Sequence, residues 1–172
     1  MSGVDHVLYE AVQAAVAAAR TSPCAKSRRG VAIIDREWEG GRVVASASNG
    51  PPAPLACTSD AACRAACRRV AVHAEQRALL WALDRSRARP RAPVFEVVHA
   101  KVNEAGELVP SDGPSCVDCS KLMLAAGVRR VYLYQERADG PAQEPPVWRG
   151  YEALEFHELT LAALGLPAGR LA

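Results

Sequence analysis

Two short motifs, His73-Ala74-Glu75 and, well downstream, Pro114-Ser115-Cys116-Val117-Asp118-Cys119, constrain this chain more than anything else in it. Residues two apart project to nearly opposite sides of a helix, so His73 and Glu75 can serve one site only from a helix start. The stretch 74–83 has apolar residues at Ala78, Leu79, Ala82 and Leu83, a helical period that begins at the tripeptide itself. The second motif behaves alike. Ser115, with Asp118 three positions on, has the spacing of a capping box, and Gly127 closes the run after Leu122, Met123 and Ala126. Cys116 and Cys119 then share a face of the first turn, where the positive end of the helix dipole favours thiolates. The fold must therefore bring two helix N-termini together, one carrying an imidazole and a carboxylate, the other two thiols.

That donor set has a specific chemistry. One imidazole and two thiolates fill three positions of a tetrahedral Zn²⁺ and leave the fourth for water, while Glu75 is a carboxylate beside the metal that need not bind it. The arrangement suits hydrolytic deamination. A nucleophilic pair of Cys116 and His73 would leave Cys119 and Glu75 idle. A structural zinc ribbon would need a fourth ligand, from Cys57, Cys63 or Cys67, and would make Glu75 a surface carboxylate. Only the catalytic metal uses all four residues.

With 172 residues, 49% of them hydrophobic and 23% charged, the chain can bury one sizeable core, and 1–172 reads as one domain. Val4, Val7, Leu8, Ala11, Val12, Ala15, Val16 and Ala19 form a helical stripe that stops before Ser22-Pro23. Strands are predicted at 30–35 and 42–47, joined by a turn at Gly40-Gly41, and again at 94–102 and 129–134. Residues 138–146 read as a Pro-rich surface loop and 151–164 as a closing helix stopped by Gly165 and Pro167. Strands alternating with helices predict an α/β sandwich whose sheet either ends at four strands or gains a short fifth within 143–148.

The H-A-E tripeptide with its later Cys-x-x-Cys resembles the cytidine deaminase superfamily, the zinc deaminases marked by H-x-E and P-C-x-x-C. A serine stands here between Pro114 and Cys116, which keeps the thiolate spacing and changes the backbone before the first thiolate. The resemblance implies a three-layer α/β/α sandwich with a mixed sheet of about five strands, both zinc-bearing helices on one face, and a homo-oligomer. The run from Ser22 through Cys24, Arg28 and Arg29, then Asn49-Gly50-Pro51-Pro52 and a cysteine-rich approach to His73, is most similar to the deoxycytidylate deaminase branch. That branch implies Asn49 on the sugar hydroxyl, Arg28 or Arg29 near the phosphate, and the Ala74 backbone N–H on the pyrimidine carbonyl. The chemistry agrees in kind, because an amide both donates and accepts and a guanidinium offers phosphate a forked donor. Asn-Gly is also, first of all, a turn signal.

Downstream the likeness is weaker, since 103–113 is interposed before the second motif. A longer loop beside the metal can admit or exclude a polymer. dCMP therefore leads as substrate, with a free nucleoside, guanine or adenine, or a base in single-stranded DNA or RNA as alternatives, and a non-catalytic zinc-stabilised binding module as the rival class. Cys24, Cys57, Cys63 and Cys67 could close a second, structural Cys₄ zinc site or could be buried, unligated thiols. A net charge of +2 and pI near 8.3 are too mild to announce a nucleic-acid binder. No apolar stretch approaches the ~20 residues of a membrane span. Six cysteines and an amphipathic first helix bearing Asp5 and Glu10 predict metal binding in a reducing cytoplasm rather than disulfides.

Overall fold

A computed structural model describes residues 5–24, 26–52, 56–58, 60–89, 91–111, 113–137 and 145–167. The elements are α1 (His6–Arg20), β1 (Arg28–Asp35), β2 (Arg42–Ser48), α2 (Ala61–Val70), α3 (Ala74–Ser86), β3 (Phe95–Val102), β4 (Leu108–Val109), α4 (Val117–Ala125), β5 (Val128–Gln135), β6 (Val147–Glu152) and α5 (Ala153–Ala162). Val4, at the head of the predicted stripe, and all but the last two residues of the predicted 138–146 loop lie outside the described residues.

The strands form a mixed sheet in the order β2-β1-β3-β5-β6, with β4 added to the end of β3. Among the described residues only β3 and β5 pair in parallel. A parallel pair needs a crossover, and α4 supplies it. The outer strand β6 returns antiparallel to β5. Helices cover both faces, so β1 and β3 are buried almost throughout and read as near-continuous apolar runs.

One face is covered by α1, whose Val7, Ala11, Ala15, Val16 and Ala19 pack on Ala32, Ile34, Val98 and Ala100. The stripe carries alanine at 15 and 19 for a reason visible at Gly30. A Cβ there would come within 2.1 Å of the Ala15 carbonyl oxygen and 2.3 Å of the Ala19 nitrogen, so helix backbone rests directly on strand backbone. The opposite face carries α3, α4 and α5, where Leu79, Met123 and Phe156 meet Val31, Ile33, Val97, Val131 and Leu133. Both motif helices thus share one side of the sheet in a three-layer sandwich.

Three sequence expectations change. The closing helix begins at Ala153 rather than at 151, because Tyr151 pairs with Val131 in the sheet and sets its ring against Phe156 at 6.1 Å. The extra strand is real but lies at 147–152, beyond most of 143–148. Gly150 within it breaks the strand pattern, and it does so because the Tyr132 ring crosses the position a Cβ would occupy, 2.9 Å away. Finally, 103–113 is not a free loop. Asn103 and Glu107 bond to one another, Gly106 takes φ +80°, and Leu108 returns opposite Val102, so the insertion folds back on β3 as a hairpin. Among the described residues no helix is long and apolar enough to cross a membrane.

Candidate active site

His73 is the N-cap of α3, and Gln76 reaches back to accept its backbone N–H at 3.1 Å. Cys116 is the N-cap of α4, its Sγ accepting from the Cys119 N–H at 3.4 Å. The expected cap, Ser115, lies one residue outside: a sulfur already satisfies the first turn, which frees the serine hydroxyl. With the helix starts facing each other, His73 Nδ1 stands 3.2 Å from each thiol sulfur, and the three donor atoms lie within 4.8 Å of one another.

These residues fit a tetrahedral zinc. Metal–ligand bonds of about 2.3 Å to sulfur and about 2.0 Å to nitrogen place neighbouring donors roughly 3.5 Å apart, so the cluster needs to open by only a few tenths of an ångström. The thiols already differ. Hydrogen bonds from Cys119 and the neighbouring His73 outweigh burial to bring the Cys116 thiol down to about 4, while the same bond to Cys116 and burial push Cys119 well above its usual range. The bond to Cys116 in turn raises the His73 imidazole above its ordinary value against the effect of burial.

Glu75, in the first turn of α3, is 3% exposed. Ser115 Oγ donates to its Oε1 at 2.5 Å, and His99 Nδ1, from β3, approaches the same oxygen at 3.7 Å. Burial opposes an ionised Glu75, but the neighbouring His99 ring and the Ser115 hydroxyl hold the carboxyl below its ordinary value. At His99 burial prevails over the neighbouring Glu75 and holds the ring below its ordinary value. His73, Glu75, His99, Ser115 and Cys116 line a cavity of about 290 Å³, together with Lys26, Ser27, Arg29, Asn49 and Ala74.

Of the two candidate phosphate arginines, the structure brings only Arg29 to this cavity. Arg28 faces the other way and donates to the Glu104 carbonyl at 3.3 Å. The Asn49 amide works mainly on the backbone. Its Oδ1 accepts from Arg29 N and Ser22 Oγ, and its Nδ2 donates to the Ser27 carbonyl at 2.8 Å, holding the 27–29 segment against the Asn-Gly turn. Ala74 opens α3, so its N–H has no acceptor within the helix. His99 and Lys26 escaped sequence reasoning. A histidine within a strand that reads as buried was the available signal for the first, and the basic stretch before β1 was the signal for the second.

Cys24, Cys57, Cys63 and Cys67 all line an adjoining, mainly apolar cavity of about 350 Å³. Cys57 and Cys63 place their sulfurs 3.5 Å apart, and burial, with Cys24 and Cys63 beside it, raises the Cys67 thiol. Among the described residues the donor group tight enough for a metal is His73, Cys116 and Cys119.

A mixed sheet with two helix N-termini converging on a His/Cys/Cys cluster defines an α/β fold of the cytidine deaminase type bearing a candidate metal centre. Solved structures agree with that fold. The chain is similar to the dCMP deaminase from the cyanophage S-TIM5, with 21% identity and a TM-score of 0.54 over 80% of this chain and 88% of that one. It is similar to the cytidine deaminase from Burkholderia pseudomallei, with 19% identity and a TM-score of 0.54 over 86% of this chain and 94% of that one. No protein-family model and no curated protein matches the chain.

Proposed function

We propose that this chain is a zinc-dependent hydrolase that deaminates a cytosine-type base in a small nucleotide or nucleoside, dCMP first, to the uracil compound and ammonia. The observation that carries this reading is Glu75, a buried carboxylate that shares one cavity with His73 and Cys116 of the His/Cys/Cys donor set. Held by His73, Cys116 and Cys119, zinc would supply the Lewis acidity that activates water near neutral pH. In this reading Glu75 takes the proton of that water and returns protons to the ring N3 and the departing amine. The Ala74 N–H is free of the helix and is our candidate for the pyrimidine carbonyl. Arg29, with Lys26 at the rim, supports a phosphate on the substrate, and one Asn49 amide N–H remains for a sugar oxygen after its bond to Ser27.

A cavity of about 290 Å³ lies at the low end of the range that holds small ligands, ~300–1,000 Å³, which supports a free nucleotide over a polymer. The thiolate ligands suit a reducing compartment such as the cytoplasm. Exposed Leu80 and Trp81 on α3 and Leu154 on α5 support a homo-oligomer.

The test is a panel of cytidine, deoxycytidine, CMP, dCMP, guanine, single-stranded DNA and tRNA, read by ammonia release and product mass. dCMP should be turned over fastest. Turnover confined to a purine or to polynucleotide would overturn the reading.

A further inference from the structure

Ser115 stands where the zinc deaminase pattern has a proline directly before the first thiolate, and its side chain belongs neither to the metal donors nor to the helix cap. It is 8% exposed, so its hydroxyl must find a partner inside the protein. That partner is Oε1 of Glu75. His99 lies on the same side. An arginine can only donate, so Arg29 Nη1, 3.5 Å from His99 Nε2, makes Nε2 the acceptor and leaves the ring proton on Nδ1, which faces Oε1 at 3.7 Å, beyond hydrogen-bond distance. The Ser115 hydroxyl is therefore the side-chain hydrogen bond on Oε1 among the described residues. A glutamate has several soft torsions, and its last is broad and roughly two-fold, so an untethered carboxylate exchanges its oxygens readily.

We propose that Ser115 is a positioning residue for Glu75: its hydroxyl pins Oε1 and so dedicates Oε2 to the proton transfers. The role assigned to Oε2 rests on the deaminase reading above; the pinning does not. A proline at this position could not make the bond, so the Glu75 geometry of this chain depends on a side chain outside the H-x-E and Cys-x-x-Cys motifs.

Crystal structures of zinc-loaded wild type, Ser115→Ala and Ser115→Thr, with zinc content and steady-state kinetics on dCMP, test the assignment. Ser115→Ala should keep its zinc, hold KM within about twofold and lose about 10–100-fold in kcat, with Glu75 leaving its single conformer. Ser115→Thr, which restores a hydroxyl, should recover the conformer and most of kcat. An unmoved Glu75 in Ser115→Ala with kcat within about twofold of wild type overturns the proposal. Loss of zinc from Ser115→Ala also overturns it, because the serine would then serve the thiolate loop. If wild type turns over no substrate of the panel, the deaminase reading fails while the Glu75 conformer still decides: displaced in the alanine variant and restored by threonine, it upholds the pinning, and unmoved, it rejects it.

Discussion

Cys116 and Cys119 are the same residue type one helical turn apart, yet the fold gives them opposite acidities. Cys116 accepts hydrogen bonds at a helix N-terminus and falls to about 4, whereas Cys119 donates from the interior and rises. In reduced, zinc-free protein the thiolate absorbance near 240 nm should therefore show a step near pH 4 that Cys116→Ser removes, and a first step only near the ordinary 9.0 would contradict the assignment. The arginines divide just as sharply. Arg29→Ala should raise KM for dCMP by ~10–100-fold, the worth of charged hydrogen bonds of about 1.5–3 kcal/mol, and leave deoxycytidine nearly unaffected. Arg28→Ala, on a side chain turned towards Glu104, should change neither; the reverse pattern would show the phosphate on the other side of β1. At this scale the donor set of His73, Cys116 and Cys119, with Glu75 beside it, was legible from residue type and spacing. The side chains around Glu75 were not. Ser115 looked like a cap, and His99 comes near Glu75 only when β3 is brought beside the start of α3, an approach between residues distant in sequence.

Among the elements, α1 and β1 announce themselves through unbroken periods, three-to-four in one and continuous burial in the other. Their contact is close enough to be tested at one atom. Gly30→Ala would drive a methyl into the backbone of α1 near Ala15 and Ala19, and overpacking of this kind costs about 1–3 kcal/mol. Chemical denaturation should report that loss with an unchanged m-value, and a neutral substitution would contradict the backbone-to-backbone packing. The outer strand β6 was the hardest element to foresee. Its side chains are only partly buried or exposed and its pattern is interrupted at Gly150, where Tyr132 of the neighbouring strand takes the space, so its own residues do not specify it. The 103–113 insertion hid its hairpin for the same reason, since β4 is only two residues long and exists by pairing with β3.

For the molecule as a whole, two apolar layers close on the sheet, and the donor cluster sits where two helix starts meet at one of them, with Cys119 part of that layer. Chelation should accordingly abolish turnover while circular dichroism retains the helical and strand content, and Cys116→Ser should do the same. Under reducing conditions metal analysis should give about one zinc per chain, with Cys63→Ser nearly neutral in thermal stability. Two zinc ions with a large loss at Cys63 would assign Cys24, Cys57, Cys63 and Cys67 to a structural site instead. The most direct measurement is ammonia release and product mass from dCMP by zinc-loaded wild type and Glu75→Gln, with zinc counted in both. The variant should keep its zinc and its fold and lose at least 10²-fold in kcat, the lower end of what a positioned general acid–base contributes. Full turnover by Glu75→Gln would contradict the account, because the buried carboxylate beside the His/Cys/Cys cluster would then have no part in the reaction.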